Sequence, residues 1–192
     1  MQIIVTFNAK ALDHAIAGLD AAGQGAFRTQ LAGAINTVGH AVHEAIIPPM
    51  KTQTGLTTGT IPRAIHDHPG GAGGLSYTLA TRGGNISLRY FGAHETGGGV
   101  TAYPRGRSTS YPGAFIRSGR PGNRHPSPKL NGQVYKNIAG GKWGGKIKKI
   151  KSGVFIPEEM VRGAAKAVFE TVVATQLEPA IASIMTIIAG RI

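Results

Sequence analysis

The sequence predicts an α+β fold in which helices cover one face of an antiparallel β-sheet. Two segments, residues 24–47 and 157–188, repeat apolar residues every three or four positions, as amphipathic helices do. Between them, short segments alternate apolar and polar residues with the period of strands. A Gly- and Pro-rich stretch at about residues 96–151 predicts an extended basic loop insertion within a single domain of 192 residues.

The N-terminal part of the chain is predicted to hold one strand and two helices. Residues 2–7 alternate apolar and polar positions and predict a strand, and residues 9–22 predict a short helix. Residues 24–47 predict a longer helix, which we expect Pro48 and Pro49 to end because proline has no amide hydrogen to donate. The apolar face of this helix consists of Phe27, Leu31, Ile35, Val38, Val42 and Ile46.

The middle of the chain is predicted to form strands. Residues 75–81 and 85–91 alternate on either side of Gly83 and Gly84, a pattern typical of a β-hairpin. Further short strands are expected at residues 114–117, 134–138 and 146–155. The apolar residues expected to anchor the Thr-rich segment before the hairpin are Leu56, Ile61 and Ile65.

The C-terminal segment predicts one long helix. Pro157 suits the first turn, and Glu158 and Glu159 suit the positive end of the helix dipole. Pro179 is expected to kink this helix or to split it in two. Its predicted apolar face consists of Val161, Ala164, Val168, Val172, Leu177, Ile181, Ile184 and Ile188.

The composition excludes several classes of protein. Because the chain has no cysteine, it can form neither disulfides nor thiolate metal sites. The N-terminus lacks the basic region and cleavage site of a signal peptide. The longest apolar run, residues 180–189, is too short to span a bilayer. We therefore expect a soluble protein of the cytoplasm that does not engage a membrane.

The sequence also argues against an enzyme. Residues 140–146 fit the G-x-x-x-x-G-K frame of a phosphate-binding loop, but Ile147 stands where that loop needs Ser or Thr for Mg²⁺. The G-x-S-x-G motif of serine hydrolases is absent. The adjacent Glu158 and Glu159 are better explained as a helix start than as a catalytic pair. We expect no enzymatic activity and no cofactor.

Histidines and carboxylates occur in two groups that could bind a metal. His40, His43 and Glu44 lie one helical turn apart but match neither H-E-x-x-H nor H-x-x-E-H. Residues 66–68, His-Asp-His, together with residues 94–95, His-Glu, could supply imidazole and carboxylate ligands. Because no second sequence element fixes their geometry, we expect solvated side chains and no metal.

The strongest functional signal is the charge of the insertion. Between Thr96 and Pro157 the chain has no Asp or Glu but has five arginines and seven lysines, which equal the net charge of +12. Charge of one sign on a loop-rich segment favours a polyanion or an acidic neighbouring subunit as partner. A solvated basic loop is the alternative. The residues expected to face DNA or a protein partner are Arg105, Arg107, Arg117, Arg120, Arg124, Lys142, Lys146, Lys148, Lys149 and Lys151.

Aromatic residues are interleaved with these charges, and they have two possible roles. They could stack on bases, or they could anchor short strands. No zinc-finger, RRM or KH signature is present, so contact with nucleic acid is expected at the phosphate backbone rather than at base edges. The aromatic residues concerned are Tyr103, Tyr111, Phe115, Tyr135 and Trp143.

Four sequence elements resemble one known family. They are residues 112–116 (Pro-Gly-Ala-Phe-Ile), 131–135 (Asn-Gly-Gln-Val-Tyr), 146–151 (Lys-Ile-Lys-Lys-Ile-Lys) and 156–157 (Ile-Pro). In their order along the chain, and in the helices that flank them, they resemble the minor tail protein Z family of tailed bacteriophages. The chain departs from that pattern in its Gly-rich loops, residues 70–74 and 97–99, and in a longer insertion at residues 117–129.

The resemblance implies a structural virion protein without enzymatic activity. Such proteins complete the head-proximal end of the tail, join it to the neck, and form homo-oligomeric rings, commonly six-fold, around the DNA channel. Partners would be other tail and neck proteins, with non-specific contact to genomic DNA, and the chain would be made in the host cytoplasm. The alternative is a free, non-specific DNA-binding protein of the nucleoid type.

The helices and the strand around Phe115 are expected to form the core. If the Phe115 ring is buried, Phe115→Ala should destabilise the fold by about 3–5 kcal/mol.

Overall fold

The long N-terminal helix has the buried face that the sequence predicts. The computed structural model describes residues 2–8, 21–56, 59–119, 123–138 and 146–189; most of the short helix predicted at residues 9–22 lies outside these ranges. Helix α1 spans Ala21–Thr54. All six predicted apolar positions, Phe27, Leu31, Ile35, Val38, Val42 and Ile46, are buried.

Helix α1 continues through Pro48 and Pro49, so the prediction that these prolines end it is wrong. The last turn carries Met50, which is fully buried, and Thr54, whose hydroxyl donates to the Met50 carbonyl at 2.7 Å. Proline inside a helix costs about 3 kcal/mol or more locally. Burial of the last turn offsets that cost, since tertiary packing regularly outweighs local helix propensity.

The first sheet has three antiparallel strands in the order β1-β3-β2. These are β1 (Gln2–Asn8), β2 (Ile65–His68) and β3 (Ser76–Arg82). The predicted strands at residues 2–7 and 75–81 are confirmed, but the predicted hairpin is wrong. Residues 85–91 instead contain a 3-10 helix, Leu88–Phe91. Because β3 is already paired at both edges, it has no free edge for a hairpin partner.

Six short strands form two further antiparallel sheets in the described part of the chain. Their bounds are β4 His94–Thr96, β5 Gly99–Ala102, β6 Thr109–Pro112, β7 Ala114–Phe115, β8 Tyr135–Asn137 and β9 Ile147–Lys149. Strands β7 to β9 lie within the predicted segments but are shorter. Strands β4 to β6 were not predicted, because Gly and Pro interrupt any alternating pattern there.

Phe115 is a partial exception to the predicted core. Ala114 is fully buried, whereas Phe115 is half-buried and lies 6.3 Å, centroid to centroid, from the ring of Tyr135. The expectation of a buried ring is therefore corrected. Phe115→Ala should cost less than the ~3–5 kcal/mol of a fully buried phenylalanine.

The C-terminal segment is helical but not one regular helix. It consists of α2 (Ile156–Met160), α3 (Gly163–Val172), a π-helical turn (Val173–Leu177) and α4 (Glu178–Ala189). Pro157 lies in the first turn, as predicted. Extended backbone at Arg162 separates α2 from α3. The π-helical turn ends two residues before Pro179, whose missing amide hydrogen removes one hydrogen bond to the preceding turn.

Only part of the predicted C-terminal face is buried. Ala165, Leu177 and Ile184 are buried, while Val168, Val172 and Ile181 are partly buried against the core. Val161 and Ala164 are exposed because the break before α3 shifts the helical phase.

The predicted α+β architecture is confirmed, with α1 between the first sheet and the C-terminal helices. Helix α1 contacts β3 on one side and α3 on another. Alternate residues of β3, Tyr77 and Leu79, are buried. At Gly39 the helix backbone lies against the Tyr77 ring, and a Cβ there would overlap the ring atoms Cγ, Cδ1 and Cδ2.

We predict that Gly39→Ala destabilises the protein by about 1–3 kcal/mol, because the added methyl must displace a ring held inside the core. The better helix propensity of alanine, about 1 kcal/mol, opposes this loss without cancelling it. Gly33→Ala on the same helix is the matched control, since nothing lies within 4 Å of its Cβ position. Urea unfolding should show Gly33→Ala as neutral to stabilising; equal effects of the two substitutions would contradict the packing described here.

Candidate polyanion interface

Two carboxylates from outside the acid-free stretch reach into it and bind its arginines. We call residues 96–151 the basic segment. Glu95 precedes the segment and Glu159 follows it. Together they bind Arg105 and Arg124, so part of the predicted interface is neutralised within the chain.

Glu159 is the more deeply buried of the two carboxylates, with only 2% of its side chain exposed. Its Oε1 accepts hydrogen bonds from Arg105 Nη2 at 3.0 Å and from Arg162, and its Oε2 accepts one from Gln53 Nε2 at 2.8 Å. Burial raises the pKa of this carboxyl. The hydrogen bonds from Arg162, Gln53 and Arg105 together lower the pKa by more than burial raises it, so the pKa lies below its usual value. Glu159 is therefore an ionised structural anchor and more than a helix-start residue.

Glu95 organises the loop that carries Phe115. Its Oε1 accepts hydrogen bonds from the backbone N–H of Ile116 at 2.6 Å and of Arg117 at 2.9 Å. Arg124 Nη1 donates to the same oxygen at 3.3 Å, and its guanidinium lies 5.7 Å from the centre of the Phe115 ring. Burial raises the pKa of Glu95. The two backbone N–H groups and Arg124 have the larger, opposite effect, so the pKa of Glu95 lies below its usual value. Residues 66–68 and 94–95, which the sequence left open as a possible ligand group, are not brought together as one among the described residues.

Arg105 and Arg124 are consequently held in place by their own chain. Arg105 also donates to the Gly153 carbonyl at 3.3 Å, and its backbone has φ of 55°, a conformation rare for residues other than glycine. Such a backbone persists where surrounding contacts enforce it, and here the ion pair with Glu159 does so. Both arginines stabilise the fold, and because each is paired with a carboxylate of the same chain, each is less available to bind an external anion.

The lysines of the third sheet have the opposite environment. Lys136 on β8 pairs directly with Lys148 on β9, so their side chains emerge on the same face. Lys146 directly precedes β9 and its carbonyl accepts a hydrogen bond from the Ile138 N–H, so strand alternation places Lys146 on the same side as Lys148. All three are exposed, and none forms an ion pair with a carboxylate of the described residues. We call Lys136, Lys146 and Lys148 the lysine strip.

The lysine strip is electrostatically unfavourable by itself. Like charges directly opposite each other in a sheet destabilise it by roughly 0.2–1 kcal/mol. Since the basic segment contains no acidic residue, no carboxylate of the segment itself offsets this repulsion. An anion supplied from outside the chain would relieve it.

Of the remaining predicted residues, four lie in the described part of the chain and two lie outside it. Arg107, Arg117 and Lys151 are exposed, and Lys149 is half-buried opposite Tyr135. Arg120 and Lys142 lie outside the described residues. Lys136 was not predicted as a site residue, because the register that places it against Lys148 depends on pairing across a loop and cannot be deduced from spacing alone.

An open cleft of about 420 Å³ lies beside Glu95. Its walls include Arg124 and the glycine turn at residues 97–99. Gly99 has φ of 151°, and a Cβ there would overlap the Tyr111 carbonyl oxygen, so the turn requires glycine. Because the two charges of the cleft are paired with each other, the cleft offers an approaching ion less free charge than the lysine strip does.

The histidines of α1 lie near a carboxylate of the first sheet. His43 Nδ1 lies 3.7 Å from Asp67 Oδ1, and the Tyr77 hydroxyl donates to Asp67 Oδ2 at 2.8 Å. That hydrogen bond lowers the pKa of Asp67, and burial together with the Asp67 contact raises the pKa of Tyr77. Asp67 thus lies close to His43, and all three residues, His66, Asp67 and His68, are exposed on β2.

We predict that Glu159→Gln destabilises the protein by about 1–3 kcal/mol at neutral pH, because Arg105 and Arg162 lose an ionised acceptor. Both arginines are nearly half exposed, so water replaces part of the lost interaction. The pKa of Glu159 is lowered by folding; its contribution is therefore complete above the unfolded pKa of about 4.3 and is lost as the pH falls through the folded pKa.

Chemical unfolding between pH 7 and pH 3 checks this prediction. The difference in unfolding free energy between wild type and Glu159→Gln should shrink toward the acid end. Glu158→Gln, which changes the neighbouring carboxylate, should stay within about 0.5 kcal/mol of wild type. A difference for Glu159→Gln that is independent of pH would contradict the assignment of an ionised carboxylate.

Comparisons with protein-family models, with curated proteins and with solved structures found no match to this chain. The resemblance to the minor tail protein Z family is carried by the four sequence elements given above and stays a prediction. No helix within the described ranges has the length and apolar character of a membrane span.

Proposed function

We propose that this chain is a structural subunit of a tailed-bacteriophage tail, completing its head-proximal end as an oligomeric ring. The observation that supports the proposal most is the lysine strip, an exposed row of like charges without an acidic partner in the described chain. In a ring, each subunit would contribute such a row to a collar of positive charge. The collar would face genomic DNA in the channel or an acidic surface of a neighbouring tail or neck protein.

Symmetry makes weak contacts effective. An exposed lysine contributes little by itself, because salt screens it and its side chain is mobile. Repetition around a ring raises the effective concentration of each contact once the first has formed, so avidity exceeds the affinity of one subunit. Contacts of this kind follow the phosphate backbone and do not read sequence, which suits a channel through which the whole genome passes.

Exposed apolar side chains give a second line of support. Ile147 of β9 and Ile138 beside β8 are 45% and 57% exposed, at the end of the same strand pair that carries the lysines. Met185 and Ile187 of α4 are 38% and 46% exposed. In an assembly, neighbouring subunits would cover these side chains.

The second candidate function is a free, non-specific DNA-binding protein of the nucleoid type. The exposure of the lysine strip on a single subunit favours it, since the strip needs no assembly to reach DNA. The two functions differ in their dependence on assembly. A monomer that binds DNA tightly and with steep salt dependence supports the nucleoid type. DNA binding that appears only in the ring supports the tail subunit.

We predict that the double variant Lys136→Gln, Lys148→Gln binds mixed-sequence duplex DNA more weakly and yet is more stable. Relief of the cross-strand repulsion should raise the unfolding free energy by about 0.2–1 kcal/mol. Loss of two phosphate contacts per subunit should make the slope of log K against log salt shallower by about 2 for each subunit that contacts the DNA. Titrations of the assembled protein at several salt concentrations, with parallel urea unfolding, measure both quantities.

Lys166→Gln is the matched control, because Lys166 pairs with Glu170 at 3.6 Å on α3, outside the basic segment. Its salt slope should equal that of wild type. An unchanged slope in the double variant would exclude the lysine strip as a DNA-facing surface. Microscopy of tails assembled without this chain then tests the role itself: tails of normal length that fail to join heads support completion, whereas tails of uncontrolled length contradict it.

A further inference from the structure

A cluster of metal-ligating side chains lies on α1 and has no place in the proposed tail function. One ligand atom each of His40, His43 and Glu44 lies within 4.8 Å of the others. The three residues occupy positions i, i+3 and i+4, which share one face of a helix. Imidazole and carboxylate are ligands that Zn²⁺ accepts, and three protein ligands with a water in the fourth position form a common zinc geometry.

His43 has an orientation that suits a metal ligand. Its Nδ1 faces Asp67 Oδ1 at 3.7 Å, while its Nε2 is buried and has no hydrogen-bond partner among the described residues. A buried polar atom without a partner is unfavourable by about 1–3 kcal/mol, so native proteins rarely keep one without a reason. The Asp67 carboxylate beside Nδ1 favours the tautomer that carries its proton on that nitrogen, which leaves Nε2 available to bind a metal.

We propose that His40, His43 and Glu44 bind a divalent transition metal ion of the Zn²⁺ type, with Asp67 as the residue that positions His43. The site joins helix α1 to strand β2, because the three ligands belong to the helix and the positioning carboxylate belongs to the strand. Binding would therefore stabilise the junction between the two elements. The proposal is independent of the proposed tail function.

The surroundings hold the positioning group firmly. The Tyr77 hydroxyl donates to Asp67 at 2.8 Å, and the Tyr77 ring lies against the backbone of Gly39, one residue before His40. This contact, together with the hydrogen bond, fixes Asp67 relative to the helix. Preorganisation of this kind reduces the conformational entropy lost when a ligand binds.

The ligands themselves can reach a tetrahedral geometry by side-chain rotation. Ligand atoms around one Zn²⁺ are roughly 3.3 Å apart, given Zn–N and Zn–O distances of about 2.0–2.2 Å. His40 and Glu44 are exposed and free to rotate, and the His40 and His43 rings are already perpendicular, with centroids 6.5 Å apart. We therefore expect binding to require no movement of the α1 backbone.

Isothermal titration of the untagged, chelator-treated full chain with ZnCl₂ tests the proposal. We expect one ion per chain and a rise of the melting temperature with added Zn²⁺. His40→Ala and Glu44→Gln change exposed residues, so these variants should fold normally. Each should lose more affinity than the roughly 10- to 100-fold expected when a residue that only orients a ligand is removed.

Two further variants separate the roles. Asp67→Asn should weaken binding by about 10- to 100-fold and leave the stoichiometry at one, as expected of a positioning residue. His66→Ala is the matched control, because His66 is an exposed histidine next to Asp67 that belongs to no ligand group here; its affinity should equal that of wild type. Absence of Zn²⁺ binding by the wild type, or equal losses in His66→Ala and His40→Ala, would overturn the proposal.

Discussion

The buried carboxylate of Glu159 is the interaction on which the arrangement of the chain depends. It accepts hydrogen bonds from Gln53 in the last turn of α1, from Arg105 in the basic segment and from Arg162 before α3. An ionised carboxylate is excluded from a protein interior unless its oxygens are fully hydrogen-bonded. Three parts of the chain, distant in sequence, must therefore meet at this group for the native structure to form.

The arginines and the lysines of the basic segment have different environments. Glu95 and Glu159 bind arginines, whose planar, forked donors suit the geometry of a carboxylate. Lys136 on β8 and Lys148 on β9 have no such acceptor among the described residues and are exposed. The basic segment thus combines arginines that are paired within the chain with lysines that form no ion pair among the described residues.

Helical and strand periodicity predicted the elements that pack locally. The buried face of α1 was correct at every position, and the strands at residues 2–7 and 75–81 were found where expected. Contacts between distant residues decided the rest. Burial of Met50 carries α1 past Pro49, and pairing of β3 at both edges excludes a hairpin with residues 85–91.

At the candidate sites too, residue spacing could be predicted from the sequence, whereas contacts that depend on strand register could not. The spacing of His40, His43 and Glu44 is visible in the sequence, but the register of β2 against β3 brings Asp67 to His43, and spacing does not reveal it. Likewise, the acid-free stretch is visible in the sequence, whereas the pairing of Lys136 with Lys148 depends on strand register. Composition therefore predicts a basic surface but does not identify which of its cations form no ion pair.

The most direct test of the central claim is an electron cryomicroscopy structure of the particle that contains this chain. We expect a closed ring at the head-proximal end of a tail, with Lys136 and Lys148 within contact distance of DNA or of acidic side chains of a neighbour. Arg105 should remain bound to Glu159 in every subunit. A particle in which the chain forms no ring, or in which both lysines face bulk solvent, would contradict the account.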